Sequence, residues 1–379
     1  MTVHPSQHAE PVERVTPQIL LSSFEGINVC APMVRYSKLP FRQLVSLYDC
    51  HITTTPMMLA KEFSRSQIAR DADFSTNAAE RGSFELVERW TGNPAPEWDD
   101  SPERRSGIHT KTQGKKRTRR VKGSMIVQFA ANDPVHLADA AELVRPWVDG
   151  IDLNCGCPQK WAFQEGIGSA LLRKPESVRD LVRATKQRLG WDFPVSVKIR
   201  VDADLSLTNT LVRTAIEAGA DILTVHGRTR HQQSQSHPVN LDAIRFAIEC
   251  ARGQVPCVAN GDVFTLEEAN KSREVTGARG AMSARGLLAN PALFAGFVET
   301  PLDAVTQFIQ ISTACGLIFP LFHRHVAYML ESQFKSRQER VFFNSLPSYA
   351  AVIDYLTDEM GLLLRPSVSK SVQEAVGPL

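Results

Sequence analysis

Residues 195–228 read VSVKIRVDADLSLTNTLVRTAIEAGADILTVHGR, and they contain the unit from which the fold follows. Two short apolar runs, at 195–200 and 222–226, end in polar residues. A segment of helical period at 207–218 joins them. Strand patterns that alternate with helix patterns predict parallel strands connected by helical crossovers.

The same unit recurs through most of the chain. Eight strands are predicted, at 27–32, 51–56, 124–129, 150–154, 195–200, 222–226, 255–260 and 280–284. Helix patterns between them lie at 134–148, 175–189, 207–218, 241–251 and 266–276. Eight such units match a TIM (β/α)8 barrel, so we predict this α/β fold. A doubly wound open sheet is the alternative, and the strand count argues against it.

Two segments interrupt this rhythm and define the predicted domains. Residues 78–122 are rich in Pro, Gly, Arg and Lys and have no apolar period, which indicates a long, partly disordered insertion. Its basic run, 111–122, contacts RNA phosphates, serves as a localisation signal, or is a solvated loop. Residues 303–364 have helical spacing throughout. We therefore predict an N-terminal extension at 1–25, a catalytic barrel at 26–300, and a small all-helical domain with a C-terminal tail at 301–379.

Composition limits the class of protein. The formal net charge is +2, so a nucleic-acid surface requires local clustering of charge. Seven cysteines, an odd number spread over a large chain, favour reduced thiols in an intracellular compartment. We find neither a secretory signal nor a membrane span, so a soluble intracellular protein is expected, with cytoplasm or nucleus left open.

In a TIM barrel the reacting groups stand at the carboxyl ends of the strands. Polar residues and glycines concentrate at these predicted ends: Met33, Gln128, 154–158, 198–200, 226–228, 260–262 and 284–286. The last two strands of such barrels often build a phosphate site from backbone N–H groups. Gly261 and the Arg285 guanidinium fit that use, although the glycines alone could simply form tight turns.

Two cations and a histidine stand at the middle strand ends. Lys198 and Arg200 are two residues apart on one strand, so they point to the same side. A lysine inside a barrel requires an anionic partner, and a reduced flavin ring provides one; a solvated strand-end charge is the alternative. His226 could bind flavin or metal, or be a core imidazole, which is the better reading for a histidine taken alone.

Cys155-Gly156-Cys157-Pro158 is the sharpest single signal in the sequence. A structural zinc site needs four ligands at recognisable spacing, and the chain has no second cysteine pair, so we predict no metal. Cys157 is positioned as an exposed reactive thiol, and Cys155 is expected to pack against the strand. Such a thiol could act as nucleophile or proton donor, and spacing does not decide between these roles.

These motifs, in order, resemble the tRNA-dihydrouridine synthases over roughly residues 26–300. The resemblance rests on APMV (31–34), LPFR (39–42), NCGCP (154–158), GIGSALL (166–172), KIR (198–200), VHGRT (225–229), ANGD (259–262) and ARG (284–286). Further phrases resemble the fourth eukaryotic type in particular: APMVRYSKL (31–39), QFAAND (128–133), ARGLLANP (284–291) and SRQERVF (336–342).

This resemblance implies FMN as the cofactor, NADPH or NADH as the reductant, and tRNA as the substrate, with no protein partner predicted. The family reduces the uridine C5–C6 double bond, so reduced flavin would deliver hydride to C6 while Cys157 donates a proton to C5. The flavin would be lined by Pro32, Met33 and Val34 and bonded by Gln128, Lys198 and His226. Its phosphate would be held by Asn260, Gly261, Asp262, Ala284 and Arg285. Asn154 and Arg200 would face the uracil.

The helical segment supplies the implied contacts to tRNA phosphates, with an ordinary charged helix face as the alternative. The candidates are His323, Arg324, His325, Lys335, Arg337 and Arg340. The resemblance also implies D-loop positions 20a and 20b as targets. Thr55-Pro56-Met57 departs from the Thr-Glu-Met of many relatives and removes a carboxylate, and the 78–122 insertion is unlike the compact members.

Two other functions compete with this reading. One is an FMN barrel enzyme acting on a small molecule such as dihydroorotate or an enone, which would need no basic helical appendage. The other is a tRNA-binding protein whose barrel has lost catalysis. The presence of Cys157, Lys198 and His226 together argues against such decay, because nothing structural demands that trio.

Overall fold

The structure is a computed structural model that describes residues 12–89 and 116–362. The strands in these ranges are β1 Glu13–Arg14, β2 Ile27–Cys30, β3 Ile52–Thr54, β4 Met58–Leu59, β5 Ser83–Val87, β6 Thr118–Lys122, β7 Ser124–Ala130, β8 Gly150–Cys155, β9 Val195–Arg200, β10 Ile222–His226, β11 Cys257–Asn260 and β12 Gly280–Ser283. Each of the eight predicted strands is present; β9 and β10 have the predicted bounds, and the other six differ by one or more residues.

The helices of the described residues follow the same chain order. They are α1 Pro17–Ser23, α2 Leu39–Val45, α3 Ala60–Arg65, α4 Gln67–Asp73, α5 Pro134–Val144, α6 Lys160–Gln164, α7 Pro175–Leu189, α8 Leu205–Glu217, α9 Leu241–Cys250, α10 Leu266–Thr276, α11 Arg285–Ala289, α12 Leu302–Ala314, α13 Phe319–Met329, α14 Arg337–Asn344 and α15 Tyr349–Met360. Short 3-10 turns lie at Ala78–Glu80, Arg145–Trp147, Gly168–Arg173 and Leu293–Ala295.

Eight parallel strands close into a barrel. Their order is β3-β2-β12-β11-β10-β9-β8-β7, and β3 pairs with β7 to complete the ring. Helices α5, α7, α8, α9 and α10 contact one another in succession around the outside. The predicted TIM barrel is confirmed, and the open doubly wound sheet is excluded because the sheet has no free edge.

Local sequence explains the helix boundaries that matched the prediction. Helix α10 begins at a capping box, in which the Thr265 hydroxyl accepts from the Glu268 N–H and the Glu268 carboxylate accepts from the Thr265 N–H. It ends at Gly277, whose φ of 73° is left-handed. Helix α7 begins at Pro175, where a missing N–H costs nothing, and ends at Gly190.

The barrel interior is layered along the strands. One buried cluster joins the amino-terminal halves of many strands and contains Ile27, Ile52, Ile126, Ile222, Val258 and Met282. Side chains one residue out of phase, such as Val127, Leu153, Val197 and Val225, pack outward against the helices. The interior positions nearer the carboxyl ends are polar, and the site lies there.

The 78–122 segment differs from its prediction, because two strands lie where none was expected. Strands β5 and β6 pair antiparallel, and β1 joins β6 to make a three-stranded sheet. Phe84 and Leu86 are buried while Ser83 and Glu85 are exposed, and the Phe84 ring meets the His51 ring edge-on with centroids 4.7 Å apart. Two inward apolar residues are too short an alternation to stand out among so many charges. Residues 90–115, which include Lys111 and Lys115, lie outside the described residues.

This small sheet packs under the amino-terminal end of the barrel together with α1. Leu20, Leu21 and Phe24 belong to the same cluster as the barrel interior, so residues 17–24 are part of the barrel's base. Three basic side chains at the start of β6 pair with carboxylates near the base of the barrel. Arg117 and Arg119 lie within 4 Å of Glu88, at 3.3 and 3.6 Å, and Lys116 lies 3.1 Å from Glu25.

Helices α12 to α15 form the predicted helical region. They share a buried cluster with α2 and with the helices that follow β12. His325 of α13 stacks on Phe41 of α2 with ring centroids 4.8 Å apart, so the helical region is fixed to the barrel beside β2 and β12. Within the described ranges, no helix is both long and apolar enough to cross a membrane.

Candidate active site

Strands β8 and β9 project a column of polar side chains into the carboxyl half of the barrel. Asp152 and Asn154 alternate along β8, and Ser196 and Lys198 alternate along β9. The register pairs Asp152 with Ser196 and Asn154 with Lys198. Because alternate residues of a strand share one face, the two strands bring all four side chains together.

A buried carboxylate organises the lower part of this column. Asp152 accepts a hydrogen bond from Gln128 Nε2 at 2.7 Å and another from the Ser196 hydroxyl. The Gln128 side-chain oxygen, Oε1, in turn accepts a hydrogen bond from Asn154 Nδ2 at 2.8 Å. Burial raises the pKa of Asp152, and the two hydrogen bonds oppose that rise. Sequence analysis missed Asp152 and Ser196, although each stands two residues before a predicted site residue.

Lys198 reaches past β10 to the end of β11. Its Nζ donates to Asn260 Oδ1 at 2.9 Å, and Asn260 Nδ2 donates to the Met282 carbonyl at 3.1 Å. Burial lowers the pKa of Lys198 to about 8, and the Asp152 carboxylate limits the drop. Lys198 thus lies inside the barrel near its carboxyl end, as the sequence predicted.

The Asn154 side chain shapes the loop that carries the thiol. Its Oδ1 accepts from the backbone N–H groups of Gly156 at 3.0 Å and Cys157 at 2.8 Å. The Cys157 carbonyl accepts from the Ser169 N–H at 3.0 Å. Gly168 lies so close that a Cβ there would stand 2.8 Å from the Cys157 Cβ. The turn is therefore fixed on both sides of the sulfur.

The two neighbouring cysteines occupy different environments, as predicted. Cys155 is fully buried, and Cys157 is partly exposed at the barrel mouth. Burial raises the pKa of the Cys157 thiol, and its hydrogen bond with Gln159 and the nearby Arg200 charge only partly oppose this. A raised pKa keeps the proton on sulfur at neutral pH, which suits a proton donor better than a thiolate nucleophile.

Arg200 supports two loops of the site. Its Nε donates to the Gly156 carbonyl at 3.0 Å, and its Nη1 donates to the Thr229 and Gln232 carbonyls at 2.8 and 3.0 Å. Burial lowers its pKa to about 10, and the Arg228 charge adds to this. The guanidinium was predicted to face the uracil. Its hydrogen bonds in the structure join the thiol loop to the loop after β10.

A small pocket opens at the ends of β10, β11 and β12. Gly261, Asp262, Ala284 and Arg285 line it together with His226. Asp262 accepts from Arg228 Nη2, from Arg285 Nη2 at 2.7 Å, and from the Val239 N–H at 2.9 Å. Although burial raises the pKa of Asp262, these hydrogen bonds from Arg228 and Val239 bring it below its usual value.

Arg228 is a site residue that sequence analysis did not select. It is 1% exposed, and its Nη1 lies 3.1 Å from His226 Nε2. Burial, followed by the surrounding cations, lowers the pKa of His226 to about 2, so the imidazole is neutral. The signal was available in the His-Gly-Arg sequence at the strand end, because Arg228 shares the interior face with His226.

The segment after β2 lies at the same end of the barrel as the end of β12, because β2 and β12 pair in parallel. Val34 is exposed, whereas Met33 packs against the cluster shared with the helical region. The Met33 N–H donates to the Ser37 hydroxyl at 2.9 Å and closes a tight turn directly after Pro32. The three predicted flavin-lining residues therefore stand at the barrel rim, beside the helical domain.

One predicted tRNA contact is wrong. His325 is 1% exposed, and its Nε2 lies 3.1 Å from the Tyr36 carbonyl. It occupies the apolar face of α13, three residues after the buried Phe322, where no phosphate can reach it. His323 is half-buried and lies 2.9 Å from the Phe343 carbonyl. The other four candidates are at the surface: Arg324, Lys335, Arg337 and Arg340.

Comparison with known proteins adds independent information. The family model described as Dihydrouridine synthase (Dus) matches residues 29–88 and 104–353. A Mus musculus protein named tRNA-dihydrouridine(20a/20b) synthase (NAD(P)+)-like is 42% identical over 372 residues, 98% of this chain and 98% of that protein. A Schizosaccharomyces pombe protein named tRNA-dihydrouridine(20a/20b) synthase (NAD(P)+) is 46% identical over 342 residues, 90% of this chain and 89% of that protein.

A Homo sapiens protein with the same name as the mouse relative is 40% identical over 362 residues, 95% of this chain and 98% of its own length. The matched region spans the barrel strands, the thiol loop and most of the helical region. With these matches and this geometry together, the chain belongs to the dihydrouridine synthase family.

Proposed function

We propose that this protein is an FMN-dependent tRNA-dihydrouridine synthase that uses NADPH or NADH to reduce the C5–C6 double bond of uridine in the D loop. The observation that carries the proposal is geometric: the Cys157 thiol follows β8 at the same end of the barrel as Lys198 on the neighbouring β9. The names of the relatives support positions 20a and 20b as the targets.

The pocket at the β11 and β12 ends fits the phosphate of FMN. Two guanidiniums, of Arg228 and Arg285, stand against one carboxylate, so the pocket carries excess positive charge. Arg285 is partly exposed and can pair with phosphate oxygens, and the Gly261 backbone allows close approach. Asp262 was expected to contact the phosphate. A carboxylate and a phosphate repel each other because both are negative. The Asp262 carboxylate is instead suited to orienting the two guanidiniums.

The interior column fits the flavin ring. Gln128 deeper in the column, and Lys198 and Asn260 nearer the mouth, supply donors and acceptors, and the neutral His226 imidazole supplies a further nitrogen. Pro32, Met33 and Val34 would line the ring from the rim beside β2, while Ala284 borders the phosphate. Once reduced by NADPH, bound FMN would supply the hydride for uracil C6.

The chain's own groups then complete the reaction. Negative charge developing on the uracil carbonyl is stabilised by the Lys198 ammonium, which is already desolvated and needs no reorganisation. Cys157 gives its proton to C5. Asn154 holds the backbone of the thiol loop, and Arg200 ties that loop to its neighbour, so both would act on the uracil by positioning as well as by contact.

A uridine must leave its base stack to reach this interior column, and a barrel mouth accommodates a flipped base. The exposed cations of the helical region, Arg324, Lys335 and Arg337, are suited to tRNA phosphates. Residues 26–300 would thus carry the chemistry, and residues 301–379 would add tRNA affinity.

The test is the dihydrouridine content of unmodified tRNA after incubation with purified protein, FMN and NADPH. Cys157→Ala is compared with Cys315→Ala, since Cys315 is an exposed thiol on the helical region. We expect product with wild type and Cys315→Ala, and a loss of about 10²- to 10⁴-fold with Cys157→Ala. Bound flavin without product on any tRNA would contradict the proposal and favour a small-molecule substrate.

A further inference from the structure

A pocket of about 350 Å³ lies beside the thiol loop, outside the phosphate pocket and the interior column. The segments after β8, β9 and β10 build it, so it opens on the same face of the barrel as Cys157. Its apolar floor includes Ala170, Leu172 and Val201. Phe163, Lys174 and Arg230 stand around its rim.

An aromatic ring and a guanidinium form a flat plate at this rim. The Arg230 guanidinium carbon lies 3.6 Å from the centroid of the Phe163 ring. This contact fixes the plane of a side chain that would otherwise lose considerable freedom on binding. Arg guanidinium planes and aromatic rings are the surfaces on which unstacked nucleic-acid bases settle.

The charge of this pocket favours a phosphate-bearing ligand. Arg173 is paired with Asp202 through two hydrogen bonds of 2.8 and 2.9 Å. Lys174 and Arg230 have no carboxylate partner within residues 12–89 and 116–362. Two cations are therefore left uncompensated around an apolar floor, which is the combination that a base and its phosphate require.

An acidic pocket of about 310 Å³ lies nearby and contrasts in charge with the basic pocket. It lies on the other side of α6 and is lined by Glu62, Asp133 and Glu165, with Lys61 as its permanent cation. Such a carboxylate-rich surface repels phosphate. The two pockets are similar in size, so their opposite charge selects the basic one for a nucleotide.

Hydrogen bonds connect the basic pocket to the reaction centre. The Ser169 N–H donates to the Cys157 carbonyl, and the Thr229 carbonyl accepts from Arg200 Nη1 at 2.8 Å. Ser169 and Thr229 both line the pocket. A ligand there would share a wall with the base being reduced.

We propose that this pocket is a second nucleotide site, in which one base stacks on the Arg230–Phe163 plate and its phosphate pairs with Lys174. The inference deepens the proposed function and rests on it. Two sources can supply a nucleotide here: the tRNA residue next to the reacting uridine, or the adenylyl part of the pyridine nucleotide.

The experiment separates these sources by measuring the two half-reactions without oxygen. One measurement follows the bleaching of flavin absorbance by NADPH. The other measures the anisotropy-based affinity for unmodified tRNA, its salt dependence, and reoxidation of the reduced enzyme by that tRNA. The variants are Arg230→Ala, Arg230→Lys and Lys174→Ala, with Lys61→Ala in the acidic pocket as the matched control.

If tRNA supplies the nucleotide, Arg230→Ala weakens tRNA binding roughly 5- to 100-fold, as expected for one lost stacked base. Arg230→Lys does not restore it, because an ammonium keeps the charge but not the plane. Lys174→Ala reduces the slope of log affinity against log salt by about 0.7 to 1. Flavin reduction by NADPH is unchanged in all of these variants.

If the pyridine nucleotide is the source, the same variants raise the KM for NADPH and leave tRNA binding unchanged. The pocket is then a nucleotide site that binds the adenylyl part of NADPH. Arg230 and Lys174 variants that behave like Lys61→Ala in every measurement would overturn it. Failure of the parent proposal is distinguishable, because wild type would then form no dihydrouridine while the binding measurements still report on the pocket.

Discussion

Gly168→Ala should slow the enzyme about a hundredfold without removing any reactive group. Gly168 has a φ of 62°, and a Cβ built there lies 2.8 Å from the Cys157 Cβ and 2.9 Å from the Cys157 carbonyl oxygen. Carbon atoms in ordinary contact are about 3.5 Å or more apart. The added methyl group must therefore push the thiol loop or the adjoining 3-10 turn by about 0.7 Å.

The magnitude has two parts. Left-handed backbone at a residue with a Cβ costs about 1–2 kcal/mol of stability. Displacement of a reacting group by about 1 Å costs on the order of 10² in rate. We therefore expect a modest fall in the thermal midpoint and a roughly hundredfold loss in dihydrouridine formation.

Gly277→Ala is the matched control for the backbone contribution. Gly277 has a φ of 73°, and a Cβ there would meet nothing within 4 Å. It ends α10, away from the thiol loop. The assay is single-turnover dihydrouridine formation by reduced enzyme, together with thermal unfolding of both variants. If Gly168→Ala and Gly277→Ala lose the same stability and retain the same rate, the inferred placement of Cys157 is refuted.

Three further predictions follow from the charges of the site and its scaffold. Turnover should fall as the pH rises through about 8, where Lys198 loses its proton. Asp152→Asn should move that fall to lower pH, because the Asp152 carboxylate raises the Lys198 pKa. The pH profile of tRNA-dependent NADPH oxidation measures both effects. Arg285→Ala should weaken FMN binding about 10- to 100-fold in a fluorescence titration, since one charge-assisted hydrogen bond to phosphate is lost. Arg42→Met should lower the free energy of unfolding by about 3–5 kcal/mol in a denaturant titration, because it strands the buried Glu80 carboxylate 2.5 Å away.

An unchanged alkaline limb in Asp152→Asn would exclude Lys198 as the titrating group. Arg188→Ala removes an exposed arginine on the outer ring and should leave FMN affinity unchanged, so equal losses would exclude a specific contact by Arg285. Arg213→Ala breaks an exposed pair with Glu217 and should cost less than about 1 kcal/mol. A cost for Arg42→Met no larger than this would show that the buried pair adds nothing to stability.

Much of the barrel and part of the site followed from the amino-acid sequence. Strand and helix periods are local properties, so the eight strands and several helices could be placed from them. The contrast between Cys155 and Cys157 followed equally, because the first belongs to a buried strand and the second to the loop after it.

Other features depend on residues that are distant in the chain. Gln128, Asp152 and Ser196 meet because three strands close side by side, and no local period reports that meeting. The same closure brings Arg228 against Asp262, a pairing that the His-Gly-Arg sequence by itself does not report.

Side-chain charge alone also misled the assignment of surface. His325 looked like a phosphate contact, yet it lies on the helix face that packs against the barrel. The alternation of Phe84 and Leu86 was hidden among charged neighbours, and only the base of the barrel gives those side chains a place to pack. Residue type and spacing thus determined the barrel, the thiol and the interior lysine. Tertiary closure decided which polar groups meet, which cations face solvent, and where a second nucleotide can lie, because those depend on contacts between segments far apart in the chain.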